Sequence, residues 1–544
     1  MKRLIKIILI AVSTIIIVLT TIIAGLYLSA DMMEPDLKVC ASDYKTEMIQ
    51  DTLYCNDSYL YRNKYDTWEM CIKGSRQERG VKQGALTNDL MRYQEDVFIE
   101  QINRIIPSNS YLKFLRVFLI IFNRNIAEHI DLEYREEIAA MSLFCTDEYN
   151  DIGTPYERQL NYHAAHDIGH TMQQYMLVGC SSFATWGERS CDGEVLVGRN
   201  FDFYVGDDFA KNKIITFASP DEGYRYASVG WAGMVGVLSG INEKGLTVTI
   251  NAATGTIPIS AKTPISILTR EILQYASTIE EAYKIASKRE TFVNESILVA
   301  SQKDGSAAII EKTPDETAIF YSNEEQILCT NHYQSDDLKD TDYNIENIAT
   351  SDSKYRYDRL QELLSHYPQI NAESASKILR DRYGKGGEDI GIGNEMTINQ
   401  SIAHHSVIFA PASHLMWVST TSWQSGTMAC YDLSGFFEGT SNPTIIEEKS
   451  IATDTLFINN DQPRLLRYRE YISMINGGTK LSESQIAEFL EQNPNHYYTY
   501  RLLGDYYRKQ KQPEVAKEFY RKSLDCSIPY NTERTEISKI IESL

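Results

Sequence analysis

The sequence predicts an α+β protein whose sheets lie in the middle of the chain, and three observations predict it. From Cys180 to about residue 455, short apolar or β-branched runs alternate with Gly, Asn and Asp turns. Among those runs lie segments with apolar residues three and four apart, the pattern of helices that cover a sheet. On both flanks helical patterns dominate. At 544 residues the chain exceeds one ordinary core, so two or three domains are expected.

The leader, residues 1–30, reads "MKRLIKIILIAVSTIIIVLTTIIAGLYLSA". Lys2, Arg3 and Lys6 precede a charge-free run from Ile7 to Ala30, long enough to cross a bilayer as a helix. The basic flank is expected to stay in the cytoplasm and the rest to be exported. The run is longer than the usual signal core of about 7 to 15 residues, which favours an uncleaved anchor. Leu28-Ser29-Ala30 ends in a small residue and keeps a cleaved signal peptide open. The body is expected to be membrane-anchored and extracytoplasmic, or secreted or periplasmic if the leader is removed.

Residues 31–179 carry "LTNDLMRYQEDVFIEQINRII" and "YLKFLRVFLIIFNRNIAEHI" and are expected to be helix-rich. Residues 180–455 carry the strand patterns "EVLVGRNFDFYV", "MVGVLSGINEKGLTVTINA", "ESILVASQKDGSAAIIEK" and "SVIFAPASHLMWVSTT". Between them, "ISILTREILQYASTIEEAYKIASKR" and "SKYRYDRLQELLSHYP" predict covering helices. Residues 456–544 return to helix. There Tyr500, Leu503, Gly504, Tyr507, Ala516 and Tyr520 fall at the spacings of a tetratricopeptide (TPR) repeat. About three repeats are normally needed for stability. One copy therefore predicts a helical cap packed on the core, with a surface for a protein partner as the alternative.

Composition excludes some functions. Lys plus Arg total 53 against 74 Asp plus Glu, a formal charge of -21 that repels phosphate backbones, so nucleic acid is not an expected partner. The 9 cysteines form no CxxC pair, which removes support for a zinc ribbon or thioredoxin-type site. Export would permit disulfides, whose connectivity cannot be read from sequence. No GxSxG, HExxH or phosphate-cradling glycine loop is present.

The chemistry-bearing stretch is "MLVGCSSFAT", where Gly179 precedes Cys180. A thiol needs a base and a means of favouring thiolate. His332 and His404 lie downstream as residue types for such a base, with no local pattern to support them. The alternative is that Cys180 supplies its own. Attack of its thiol on the Gly179 carbonyl gives a thioester, and hydrolysis frees an α-amine with a reference pKa of about 7.7 to 8.0. Gly179, lacking a Cβ, is expected to allow strained backbone angles and leave its carbonyl open.

"GCSSFATWG", "GRNFDF", "GINEKGLTVTINA", "CTNHY", "SKYRYDRL" and "HSVIFAPASHLMWV" occur in the order seen in the penicillin acyltransferase-like branch of the N-terminal nucleophile (Ntn) hydrolases, peptidase family C45. "GSRQERGVKQGAL" and "IDLEYREEIAAM" resemble its propeptide region, and the resemblance covers roughly residues 70–435. It implies a four-layer αββα core, autoproteolysis at Gly179–Cys180, and action on linear amides or acyl transfer between amines and thioesters. No cofactor is implied. By position Cys180 matches the nucleophile, Asp202 the carboxylate that holds the freed amine, and Arg199 a cation near the thiol. Asn251 and Asn331 match oxyanion donors. Arg356 resembles a second arginine of the related choloylglycine hydrolases. From residue types alone, Asp202 also reads as a turn acid, the asparagines as strand-end or turn residues and Arg356 as an ion-paired helix residue.

"NYHAAHDIGH" places His163, His166 and His170 at three and four spacing, a weak zinc candidate with Asp167 as a fourth ligand. Helix-face or locally bonded histidines are the expected reading, and no metal is assigned. Two functions follow. The first is an exported, self-cleaving cysteine amidohydrolase or acyltransferase acting on a small acyl-amide or acyl-thioester. The alternative is a membrane-tethered TPR-type binding protein with an inactive Ntn core.

Overall fold

The computed structural model describes residues 2–105, 108–171, 177–256, 258, 260–420 and 423–544. Two sheets stack face to face between layers of helices. The first has eleven strands, in the order Glu47–Ile49, Thr52–Cys55, Ser58–Arg62, Trp68–Gly74, Ile214–Pro220, Tyr226–Gly230, Ser239–Asn242, Leu246–Ala252, Glu295–Ser301, Ser306–Lys312, Thr317–Tyr321. The second has eight, in the order Gln326–Cys329, Ser181–Thr185, Leu196–Tyr204, Ala403–Ala410, Leu415–Ser419, Met428–Asp432, Thr444–Ile445, with Leu177–Val178 paired on Leu196–Tyr204.

Period-two alternation builds the layers, because successive side chains leave a strand on opposite faces. In Glu295–Ser301, Ile297 and Val299 join the core under the helices Arg76–Ile105, Leu132–Ser142 and Ile265–Tyr275, while Leu298 and Ala300 face the second sheet. In Ala403–Ala410, Val407 and Phe409 meet the first sheet, while Ile408 turns outward to the helices Ser353–Ser365 and Ala372–Leu379. Three apolar layers between four structural layers give the αββα arrangement. The strands and covering helices expected in 180–455 all form.

Residues 31–179 hold the expected helices, Arg76–Ile105, Asn109–Phe122, Leu132–Ser142 and Pro155–Thr171. They also hold four strands between Glu47 and Gly74, which the helix-rich expectation did not include. The last, Trp68–Gly74, pairs parallel with Ile214–Pro220 and extends the first sheet.

Lys2–Leu28 is one helix, and many of its side chains lie outside the described residues. Among the described residues no helix is long and apolar enough to cross a membrane, so the anchor expected at 1–30 rests on the sequence pattern alone. The tail consists of Gln462–Asn476, Glu483–Gln492, Tyr497–Lys509, Pro513–Leu524 and Asn531–Ser543. Its central hairpin closes because Gly504 carries no side chain: a Cβ there would lie 2.6 Å from the Tyr520 ring. The tail packs on the core as expected, with Trp423 and Ile392 among its apolar contacts. All nine cysteines are free thiols.

Candidate active site

Cys180 directly precedes the strand Ser181–Thr185, which lies between the edge strand Gln326–Cys329 and Leu196–Tyr204 in the second sheet, and is 1% exposed. Antiparallel register with Leu196–Tyr204 sets Ser182 opposite Arg199 and Ser181 opposite Asn200. Arg199 and Asp202 therefore both lie beside the thiol. Arg199 Nη2 donates to Cys180 Sγ at 3.8 Å, and the thiol points at the Asp202 backbone carbonyl at 3.9 Å. Burial pushes the Cys180 thiol up to about 11, with Asp202 and Glu295 adding and Arg199 opposing. Burial raises the Asp202 carboxyl to about 7 against the pull of Arg356 and Arg199. Neither Asp202 carboxylate oxygen has a hydrogen-bond partner among the described residues.

Arg199 is itself held by a buried chain of polar groups. Its Nη1 donates to the Leu238 carbonyl at 3.2 Å and to Ser239 Oγ. Ser239 Oγ lies 2.8 Å from His405 Nε2, and His405 Nδ1 lies 2.9 Å from His404 Nδ1. A β-bulge between Ala403 and His405, where the strand pairs with Asp202 and Phe201, turns both rings inward. Burial drives both imidazoles well below the usual histidine value, so they are neutral. Of the two histidines named from sequence as bases, His404 thus meets His405, and His332 Nδ1 lies 2.8 Å from Ser353 Oγ and 3.2 Å from Thr330 Oγ1. Neither makes a hydrogen bond to Cys180 among the described residues.

Arg356 sits in the first turn of the helix Ser353–Ser365, fully buried. Its Nε donates to Asp352 at 3.0 Å, and that pair orients the guanidinium. Nη1 donates to the Gly179 carbonyl at 2.9 Å, the Cys180 carbonyl at 2.8 Å and Ser181 Oγ at 3.1 Å. Gln400 Nε2 adds a second donor to the Gly179 oxygen at 3.2 Å. The carbonyl expected to be attacked is thus polarised by a cation and an amide.

The two asparagines hold neighbouring groups of the site. Asn331 accepts from Arg356 Nη2 at 2.6 Å and donates to the Ala252 carbonyl at 2.7 Å. Asn251 donates to the Cys329 carbonyl at 3.0 Å and accepts from Ser182 Oγ at 2.6 Å. Both line the site, and each gives one of its two amide N–H groups to a backbone carbonyl. Gly179 departs from expectation, because its φ is not in the left-handed region. A Cβ there would lie 2.2 Å from Gln400 Nε2, so the Gln400 amide could keep its present place only against a glycine.

His163 does not present a free nitrogen. Its Nδ1 lies 2.7 Å from the Gln159 carbonyl and its Nε2 accepts from Val235 N at 2.9 Å. The side chains of His166 and His170 lie outside the described residues. Asp167, named as a fourth ligand, is buried and accepts from Ile265 N at 2.8 Å. A cavity lies beside the strand that carries Asp202. Met91 and Phe98 line it from the N-terminal helices, and Phe203, Phe209, Trp231 and Met234 from the core.

Sequence reasoning missed Gln400, Ser239 and His405. Only "HH" at 404–405 was a visible signal, and it does not say which ring faces inward.

Residues 186–419 match the family model described as acyl-coenzyme A:6-aminopenicillanic acid acyl-transferase. The matched stretch holds Arg199, Asp202, Asn251, Asn331, Arg356 and Gln400, and starts just after Cys180. Over 360 residues the chain is 23% identical to an uncharacterized protein of Archaeoglobus fulgidus, a match that spans 59% of this chain and 59% of that protein's own length. Among solved structures, it is similar to an N-acylethanolamine-hydrolyzing acid amidase ortholog of Caenorhabditis elegans, at 17% identity and TM-score 0.33, covering 43% of this chain and 93% of that one. It is also similar to a variant of the conjugated bile acid hydrolase of Clostridium perfringens, at 14% identity and TM-score 0.35, covering 50% and 98%.

Proposed function

We propose, from the premise that residues 186–419 form a domain of the penicillin acyltransferase-like family of Ntn hydrolases, that this chain is a cysteine enzyme cleaving linear amides or transferring their acyl groups, matured by a cut between Gly179 and Cys180. The observation that carries the reading is the Gly179 carbonyl held by Arg356 at 2.9 Å and Gln400 at 3.2 Å beside the buried Cys180 thiol. Attack of Sγ on that carbon, loss of the Cys180 nitrogen and hydrolysis of the thioester leave a Gly179 carboxylate and a free α-amine. The amine, with a reference pKa of about 7.7 to 8.0, takes the thiol proton in later turnovers. The carboxylate of Asp202, without a hydrogen-bond partner among the described residues, is the group that holds it. Arg199 favours the thiolate. Acyl transfer to Cys180 then gives a thioester that water or an amine resolves. The cavity lined by Phe203, next in sequence to Asp202, and by Phe98, Phe209 and Trp231, with Glu95 and His163 at its polar part, supports a partly apolar acyl group.

The cut is tested on a denaturing gel with intact mass: the wild type gives two fragments meeting at 179/180, and Cys180→Ala gives one chain. A wild type that stays whole overturns the reading. Mature protein is then profiled against N-acyl amino acids, bile-salt conjugates, penicillins, and acyl thioesters with amine acceptors. Export by residues 1–30 is part of the proposal and rests on their charge pattern. Recovery of the protein with cytosolic markers after cell fractionation would count against it.

A further inference from the structure

Gln400 reaches the scissile carbonyl from a loop, and the loop is gripped from both sides. The residue is 3% exposed, and the chain turns sharply after it: Ser401 has φ +55°, a left-handed conformation that a residue with a side chain adopts only when its surroundings hold it there. Asn399 Oδ1 accepts from Ser401 N at 3.0 Å, and Asn399 N donates to the Asp381 carbonyl at 2.7 Å. The C-terminal helices supply the opposite grip. From Gln462–Asn476, Arg469 Nη2 donates to the Ser401 carbonyl at 2.8 Å, while its Nη1 donates to Asp207 at 2.7 Å. Asn493 exchanges two bonds of 2.9 Å with the backbone of Ile392, and Asn394 Nδ2 reaches the Ser527 carbonyl at 3.3 Å. Arg469 thus joins the loop before one strand to the turn after the strand that carries Asp202.

We propose that Gln400 is a catalytic residue of the backbone cut at Gly179–Cys180, the second donor to the Gly179 oxygen beside Arg356, and that the C-terminal helices hold it there through Arg469 as a positioning residue. The inference rests on the self-cleavage reading above. As Sγ bonds to the Gly179 carbon, the carbonyl π pair moves onto oxygen, where the Arg356 and Gln400 N–H groups meet the developing charge. The pair returns as the C–N bond breaks, and the Cys180 nitrogen takes the proton lost from sulfur. Water then adds and the C–S bond breaks, giving the Gly179 carboxylate and the Cys180 thiol. Gln400 remains neutral and supplies only a hydrogen bond. Cutting therefore waits until residues 456–544 have folded onto the loop, which gives the helical tail a use inside its own chain.

The test uses the full chain, unfolded and refolded so that cutting is followed in time on a denaturing gel. Removing one oxyanion donor costs about 10²- to 10³-fold in rate, so Gln400→Ala is expected to slow cutting by that order. Gln400→Met, which keeps the volume and removes the donor, does the same if the smaller side chain impairs folding. Arg469→Ala is expected to slow cutting about tenfold, and the double variant with Gln400→Ala to cut no more slowly than Gln400→Ala alone, because the two act through one bond. Cutting of both Gln400 variants at the wild-type rate overturns the role of Gln400 and leaves the self-cleavage reading standing. Additive losses in the double variant overturn the positioning link. A wild type that stays whole overturns the self-cleavage reading itself.

Discussion

Asp202 is buried without a hydrogen bond to either carboxylate oxygen among the described residues, so its proton is favoured in the folded, uncut chain. Its folded value of about 7 lies above the ordinary 3.8, and the folded state binds more protons between them. The stability this contributes is complete below the unfolded value and is lost as pH rises through about 7. Uncut Cys180→Ala is therefore expected to lose up to about 4 kcal/mol between pH 4 and pH 7.5, and Cys180→Ala/Asp202→Asn to lose much less. Urea midpoints across that range check it, and equal slopes for the two proteins refute it. At this scale the sequence was most legible where neighbours in space are neighbours in register. Cys180 directly precedes a strand paired with the one that carries Arg199 and Asp202; Cys180 was read from its Gly-Cys pair, while Arg199 and Asp202 were named through the family resemblance. Arg356 was reached through a motif. Asn251 and Asn331, named through the resemblance, each bond a backbone carbonyl, and no local pattern reveals where an amide points. Gln400 was illegible because its reach depends on a turn at Ser401 and on a helix more than sixty residues further on.

Elements meet closely where glycines permit it. In Arg76–Ile105, Gly80 and Gly84 face Leu132–Ser142, and a Cβ on Gly80 would lie 2.1 Å from the Glu137 carbonyl oxygen. The blocking atom is backbone, so relief requires moving a helix. Gly80→Ala is expected to destabilise by about 1–3 kcal/mol despite Ala's better helix propensity, read as a lower urea midpoint with unchanged m. An unchanged or raised midpoint means the two helices are looser than described. The covering helices and the β-branched strands were legible because period 3.6 and period 2 are local properties. The four strands between Glu47 and Gly74 were not. Their tyrosines, cysteines and single charges blur the alternation, and the strand Trp68–Gly74 is fixed by pairing with Ile214–Pro220, far along the chain. The tail was legible as helices because Gly504 opposite Tyr520 is a sequence-level signal of close helix approach.

For the whole molecule, the position of the proposed cut decides whether two fragments separate. The segment before Gly179 supplies four strands of the first sheet, and Trp68–Gly74 pairs along its full length with Ile214–Pro220 from the segment after it. It also supplies Arg79 and Glu137 to a buried ion cluster. Glu137 Oε2 accepts from Arg79 at 2.6 Å and from Arg270, on the far side of the cut, at 3.4 Å. Burial works to raise the Glu137 carboxyl, and the two guanidiniums outweigh it and hold it below the usual carboxylate value. Glu137→Gln leaves two buried cations without their shared anion, a change that costs about 3–5 kcal/mol for a broken buried pair. Mature protein is therefore expected to run as one species containing both fragments on native gel filtration, and to come apart only in denaturant. In the cut form of Glu137→Gln the fragments should separate at distinctly lower urea, since the cut has removed the covalent link that masks a weakened interface. Separation of wild-type fragments in native buffer would mean that the sheet is rebuilt after cutting, and that the cavity lined from both sides by Met91, Phe98, Phe203 and Trp231 exists only in the uncut chain.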